Sequence, residues 1–259
     1  MLSYRCYGEP KTRQQPIVII HGLLGSKENW HSQAELLATQ HEVITIDVRN
    51  HGQSPHLRGM SYESMADDVF ALLDHLGIAQ IKLIGHSMGG KIAMRMAFRQ
   101  ALRIERLLIV DIAPRAYPLH HQSTLTGMLH FPLEKLTSRQ QADTWMQKLV
   151  DDAFQRKFLL KNLRRDPQSG SFYWQCHLTE ISRQYLKIAD FPIKAPHLPY
   201  PYRSCFIRGE LSDYIQPDDE ALIHRYFPEA ALITIKDSGH SPHMEQIDTF
   251  YQNAAEFMQ

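Results

Sequence analysis

Cysteine is scarce in this chain. Cys6, Cys176 and Cys205 are the whole set. They are odd in number, scattered and without zinc spacing, which points to free thiols in a reducing cytosol and not to a disulfide framework. Excess charge of either sign is also missing, because 28 Lys and Arg balance 28 Asp and Glu. Neither nucleic acid nor an anionic membrane is therefore expected as a partner. No apolar run approaches the roughly 18 residues of a membrane span. The start, Met1–Cys6, has no basic stretch leading into an apolar one, so no cleaved secretory leader is expected and the location reads as cytoplasmic.

Histidine, by contrast, is plentiful at 15. No His-x-x-x-His pair sits beside a carboxylate cluster, so no metal site is expected, and His31, His120, His121 and His224 read as surface residues. With 43% hydrophobic and 22% charged residues over 259 positions, the chain suits one large domain, or one domain carrying an insertion.

Short apolar runs alternate with helical patterns. Strands are expected at 17–20, 43–46, 81–85 and 107–110. Helices are expected at 30–39, from the N-cap Ser61 to the stop at Gly77, and at 88–98. This rhythm predicts an α/β fold: a mostly parallel sheet with helices on both faces, and ligands at the carboxyl ends of the strands. The rhythm stops at 115–202 and resumes with strands at 204–207 and 231–235 and helices at 217–227 and 246–258. The expected organisation is a core of 1–114 and 203–259 with an inserted, mainly helical cap at 115–202. Cap helices are expected at 139–150 and 152–162, and Pro192, Pro196, Pro199 and Pro201 mark the way back to the core. Met128, Phe131, Trp145, Met146, Phe172 and Trp174 either line a pocket or, more simply, glue cap to core.

The chemistry gathers around Gly85-His86-Ser87-Met88-Gly89. This is G-x-S-x-G between a strand and a helix, the nucleophile-elbow pattern. Ser87 stands at the apex of a tight turn, and glycines two residues to either side keep clear of neighbouring backbone. The N–H of Met88, at the helix N-terminus, can face a developing oxyanion, and the N–H of Leu23, in His21-Gly22-Leu23, is the usual second donor. A serine hydroxyl needs a base, and the base needs an orienting carboxylate. His240, in the turn after the last strand, is the candidate base, with His243 its neighbour. Two aspartates satisfy the order serine, acid, histidine: Asp111 after the strand next to the elbow, and Asp213 after the following strand. Spacing alone does not separate them. Arg49 and His51, in the loop Asp47–Pro55, are expected to pin that loop by hydrogen bonds.

Taken together, His21–Ser26, Asp47–Ser54, Gly85–Lys91, Asp111–Pro114 and Gly239–His240 resemble the YbfF-type bacterial esterases of the α/β-hydrolase superfamily, in order and spacing over nearly the whole chain. The resemblance implies the α/β-hydrolase fold and places the acid in Asp-Ile-Ala-Pro, hence Asp111, with Asp213 in reserve. It implies a serine esterase or thioesterase for short- to medium-chain acyl esters, including acyl-CoA, with a small-molecule substrate and no cofactor. Relatives commonly carry an aromatic residue after the histidine, where this chain has Ser241, leaving a smaller pocket wall. A C–C bond hydrolase or a menaquinone-pathway-type lyase would use the same three residues, and Arg164-Arg165 facing Ser87 would favour it. A ligand-binding protein without turnover is the remaining alternative. Haloalkane dehalogenases and epoxide hydrolases place aspartate where Ser87 stands.

Overall fold

β-Branched runs that are apolar throughout become strands covered on both faces, and here they fill the centre of one sheet. The computed structural model of the chain describes residues 1–9, 14–191 and 199–259. Pro192, Pro196 and residues 10–13, part of a stretch expected from the sequence to be a polar turn, lie outside them. The first half runs β1 (Tyr4–Tyr7), β2 (Ile17–Ile20), α1 (His31–Leu37), β3 (Val43–Ile46), α2 (Tyr62–His75), β4 (Ile81–His86), α3 (Met88–Arg99) and β5 (Ile104–Val110). Then follow α4 (Gln122–Leu129), α5 (Arg139–Met146), α6 (Ala153–Leu160), the short strands β6 (Leu163–Arg165) and β7 (Phe172–Trp174), and α7 (Leu178–Ala189). The chain closes with β8 (Ser204–Gly209), α8 (Asp219–Tyr226), β9 (Ala230–Ile235), α9 (Pro242–Glu245) and α10 (Ile247–Phe257).

Seven strands pair in the order β1-β3-β2-β4-β5-β8-β9. Only β1 runs antiparallel, at an edge. This is the mostly parallel α/β sheet expected from the sequence. Its order puts the carboxyl ends of β2, β4, β5 and β8 side by side. One face packs on α2 and α3 through Val69, Leu73, Ile92 and Met96. The other packs on α1 and α10 through Ala34, Leu37, Phe250 and Ala254. Ser61 caps α2, its side chain accepting from the Ser64 N–H at 3.1 Å.

The described residues between β5 and β8 leave the sheet and build four α-helices and the antiparallel β6–β7 hairpin. Two of these helices, α4 and α7, were not foreseen. Helix α7 carries the apolar stripe Leu178, Ile181, Tyr185 and Ile188, all buried. Phe131, Trp145 and Trp174 pack on one another, and the Trp174 indole N–H donates to the Met128 carbonyl at 3.1 Å. These side chains belong to the main apolar cluster, and the contacts just named lie within residues 115–202.

At the end of β3, Lys27 and Asp47 form a buried ion pair at 2.6 Å, 5% and 1% exposed at the side chain. The carboxylate also accepts from the N–H groups of Lys27 at 2.7 Å and Gln53 at 2.9 Å, which ties the two loops together. Removing one partner leaves a charge stranded in the interior. Lys27→Met is therefore expected to cost about 3–5 kcal/mol in urea unfolding; a loss below about 1 kcal/mol, the worth of an exposed pair, would show that the pair does not hold the loops.

Candidate active site

The elbow is built by close approach. A Cβ on Gly85 would fall into the Gly89 backbone, and one on Gly89 would strike the carbonyl oxygens of Ile20 and His21. With both positions bare, β4 turns into α3 through Ser87 at φ 53°, ψ −118°, a conformation costly for a residue with a side chain. The Ser87 N–H donates to the Val110 carbonyl at 3.0 Å, which stitches the turn to β5.

Asp111 follows β5 directly, also at positive φ (51°), and is fully buried. Its carboxylate accepts from the Gly209 N–H at 3.1 Å and from the Ser212 hydroxyl. Its third partner is His240, whose Nδ1 lies 2.7 Å from Asp111 Oδ2. The other ring nitrogen, Nε2, lies 2.9 Å from Ser87 Oγ. A carboxylate only accepts, so Nδ1 carries a proton, which leaves Nε2 of a neutral ring free to accept from the serine. Asp213 is exposed, and the carboxylate position against His240 is taken by Asp111.

The His240 ring lies flat against Tyr214, centroids 3.6 Å apart. Its loop is braced from below: Glu245 accepts from the N–H groups of Gly239 and Ser241, at 2.7 and 2.8 Å. Nε2 of His86 approaches the His240 carbonyl at 2.7 Å. Burial, then the neighbouring His243 and His240, pushes the His86 pKa well below the usual histidine value. His243, the alternative base, is stacked on Trp30 at 4.0 Å, and burial pushes it down to about 3.

The loop after β2 is held by two further neutral rings. Nδ1 of His21 donates to the Gly22 carbonyl at 2.8 Å while Nε2 accepts from the Val48 N–H at 3.0 Å. Nδ1 of His51 donates to the Arg49 carbonyl at 3.0 Å while Nε2 accepts from the Leu24 N–H at 3.1 Å. Burial pushes His51 down to about 3. Arg49 forms a two-pronged bridge to Asp68 at 2.5 and 2.7 Å. Arg49 and His51 thus pin the loop.

Leu23, His86, Ser87 and His240 face one cavity of about 660 Å³. Phe154, Gln155 and Phe158 of α6 wall it opposite Ser241 and Met244. A second chamber of about 40 Å³ shares Leu23, Ser87 and His121 with the first and is walled besides by Met88, Lys91, Tyr117, Ile188 and Tyr214 among others. His121 borders both chambers, with Nε2 3.1 Å from the Tyr214 hydroxyl, and its pKa is pushed down by burial to about 4. Its assignment to the surface is corrected: it is the N-cap residue of α4, where its N–H donates to the Tyr185 hydroxyl at 2.8 Å and its ring lines the site. Arg164 and Arg165 do not face Ser87. Arg164 donates to Gln175 at 2.7 Å and Arg165 to the Gly170 carbonyl at 2.9 Å. Among the described residues, no three of His, Cys, Asp and Glu gather as a metal-binding group, and no helix is long and apolar enough to cross a membrane.

Comparison with known proteins agrees with this architecture. Residues 15–246 match the family model described as alpha/beta hydrolase fold. The sn-1-specific diacylglycerol lipase ABHD11 of Danio rerio is 37% identical over 100% of this chain and 82% of that protein. Esterase YbfF of Escherichia coli is 33% identical over 90% of this chain and 89% of that protein. Among solved structures, one described as a marine microorganism esterase superposes with a TM-score of 0.94 at 35% identity, covering 99% of this chain and 98% of the other. By sequence and by fold, this chain belongs to the α/β-hydrolase family and is an esterase/lipase-type member of it.

Proposed function

We propose that the chain hydrolyses short- to medium-chain acyl esters and thioesters, acyl-CoA among them, through Ser87, His240 and Asp111, with residues 115–202 serving as a cap over the cleft. The observation that carries this reading is the continuous hydrogen-bond line from Ser87 through His240 to Asp111, 2.9 and 2.7 Å long, at the junction of two chambers.

His240 Nε2 takes the Ser87 proton as Oγ attacks the acyl carbonyl. Asp111 holds the ring in the required tautomer and stabilises the imidazolium that forms. The carbonyl oxygen becomes an oxyanion facing the N–H groups of Met88 and Leu23, and the positive end of α3 adds to its stabilisation. His240 then protonates the leaving oxygen or sulfur, the bond to it breaks, and an acyl-enzyme remains. Water, deprotonated by the same ring, releases the acid. The names of the relatives support ester hydrolysis, and the size of the main cavity supports a small-molecule substrate.

Two experiments test this. Across p-nitrophenyl esters from acetate to palmitate, Ser87→Ala is expected to lower kcat by about 10⁶. Wild-type turnover that survives in the mutant would sink the assignment of the nucleophile. Asp111→Asn is expected to lower kcat by about 10⁴ by inverting the histidine tautomer, while Asp213→Asn stays within about threefold of wild type, as for a surface change away from the site. The reverse ranking would transfer the acid to Asp213.

A further inference from the structure

Lys91 lies in the first turn of α3, four residues after Ser87, and both side chains line the small chamber. It is 2% exposed. Its ammonium donates to the carbonyls of Ala189 and Asp190 at 2.9 and 3.1 Å and stands 4.8 Å from the Tyr117 ring centre. An ammonium has three N–H groups. Two are taken by these carbonyls; the rest of the ammonium faces aromatic rings, with Tyr62 and Phe191 also 5.8 Å from it, and among the described residues no third oxygen is bonded to it. Burial pulls its pKa down to about 7, although Asp190 opposes this. Lys91 also walls the 40 Å³ chamber that opens at Ser87.

The two chambers have different chemical roles. His240 must protonate the leaving atom, so the leaving group extends over the Gly239–Ser241 side, into the 660 Å³ cavity. The acyl chain then runs the other way, past Met88 into the small chamber. At about 40 Å³ that chamber takes only a short chain beyond the ester carbonyl, with Lys91 at hand.

We propose that the small chamber is an acyl subsite for a short chain bearing a carbonyl or carboxylate oxygen near its far end, and that Lys91 recognises this oxygen. The inference rests on the esterase reading for which side of Ser87 holds the acyl group. A plain alkyl chain leaves the third N–H facing only aromatic rings, whereas an oxygen gives it a full acceptor, and a hydrogen bond to a charged group discriminates more strongly than a change in chain length.

Three methyl esters of nearly equal shape test it in a pH-stat: pentanoate, 4-oxopentanoate and hydrogen butanedioate. Wild-type kcat/KM is expected to favour the two acceptor-bearing esters by about tenfold or more, as for a hydrogen bond to a charged group. In Lys91→Met that ratio is expected to collapse to about one or below, because the donor is gone. A role confined to holding α7 would lower all three esters together and leave the ratio intact. Equal or better use of pentanoate by wild type, or a ratio that survives in Lys91→Met, overturns the proposal. If no ester is turned over, the esterase reading fails separately. Calorimetric titration of Ser87→Ala with methyl 4-oxopentanoate and methyl pentanoate then decides the subsite, which tighter binding of the oxo ester supports and equal binding overturns.

Discussion

Everything at the site follows from one cramped corner. Ser87 adopts a backbone conformation that residues with a side chain avoid, at a cost of roughly 1–3 kcal/mol. It holds that shape because Gly85 and Gly89 let β4, α3 and the end of β2 come closer than any Cβ would permit. The apolar strands on either side offset the strain. Ile19, Ile84 and Leu108, on neighbouring strands, are all buried. Because β4 and β5 are in register at His86 and Val110, the serine and Asp111 that follow them emerge side by side. Only the histidine arrives on a loop, and that loop is the one braced by Glu245 and His86.

The sequence made legible whatever depends on local sterics. The G-x-S-x-G turn, the Ser61 cap and the buried strands are short-range facts, and they stand where expected. The acid was harder to read because Asp111 and Asp213 both follow core strands, and chain order fits either. What separates them is that Asp111 leaves β5 at positive φ with its carboxylate beside the Gly209 N–H, while Asp213 lies further along an exposed turn. That distinction rests on three-dimensional strand order. Helix α7 escaped notice for another reason. Its stripe Leu178, Ile181, Tyr185 and Ile188 is regular, but its N-cap, His177, makes no side-chain capping bond, and the surrounding segment lacks the strand–helix rhythm that frames such patterns elsewhere. The three-residue strands of the hairpin offered too few positions for any periodicity to register.

Several of the histidines find their explanation in burial. An imidazole kept neutral has one donor and one acceptor on opposite sides of a rigid ring. His21 and His51 each use both to link backbone groups from different loops, and burial holds their pKa below the ordinary value. The ring that spans Ser87 and Asp111 has the same two-sided geometry, with a hydroxyl in place of one backbone group.

The two walls of the cleft differ mechanically. Helix α7 is fastened at both ends to the core: the His177 N–H to the Asn50 carbonyl at 2.8 Å, and at the far end the Ile188 carbonyl to Tyr62 at 2.5 Å beside the two bonds from Lys91. Helix α6 is tied chiefly within its own segment, where Arg156 reaches Asp143 and the carbonyls of Val150 and Asp151, while Asn162 just beyond it reaches Leu24. One jaw is therefore fastened by hydrogen bonds at both ends, while the other is held, among the described residues, by Asn162 and by the buried side chains of Leu159 and Leu160. A guest pressed against α7 meets a wall held by directional bonds, whereas one lodged beneath Phe154 and Phe158 meets a wall held mainly by apolar packing, so the two ends of the cleft owe their shape to different forces.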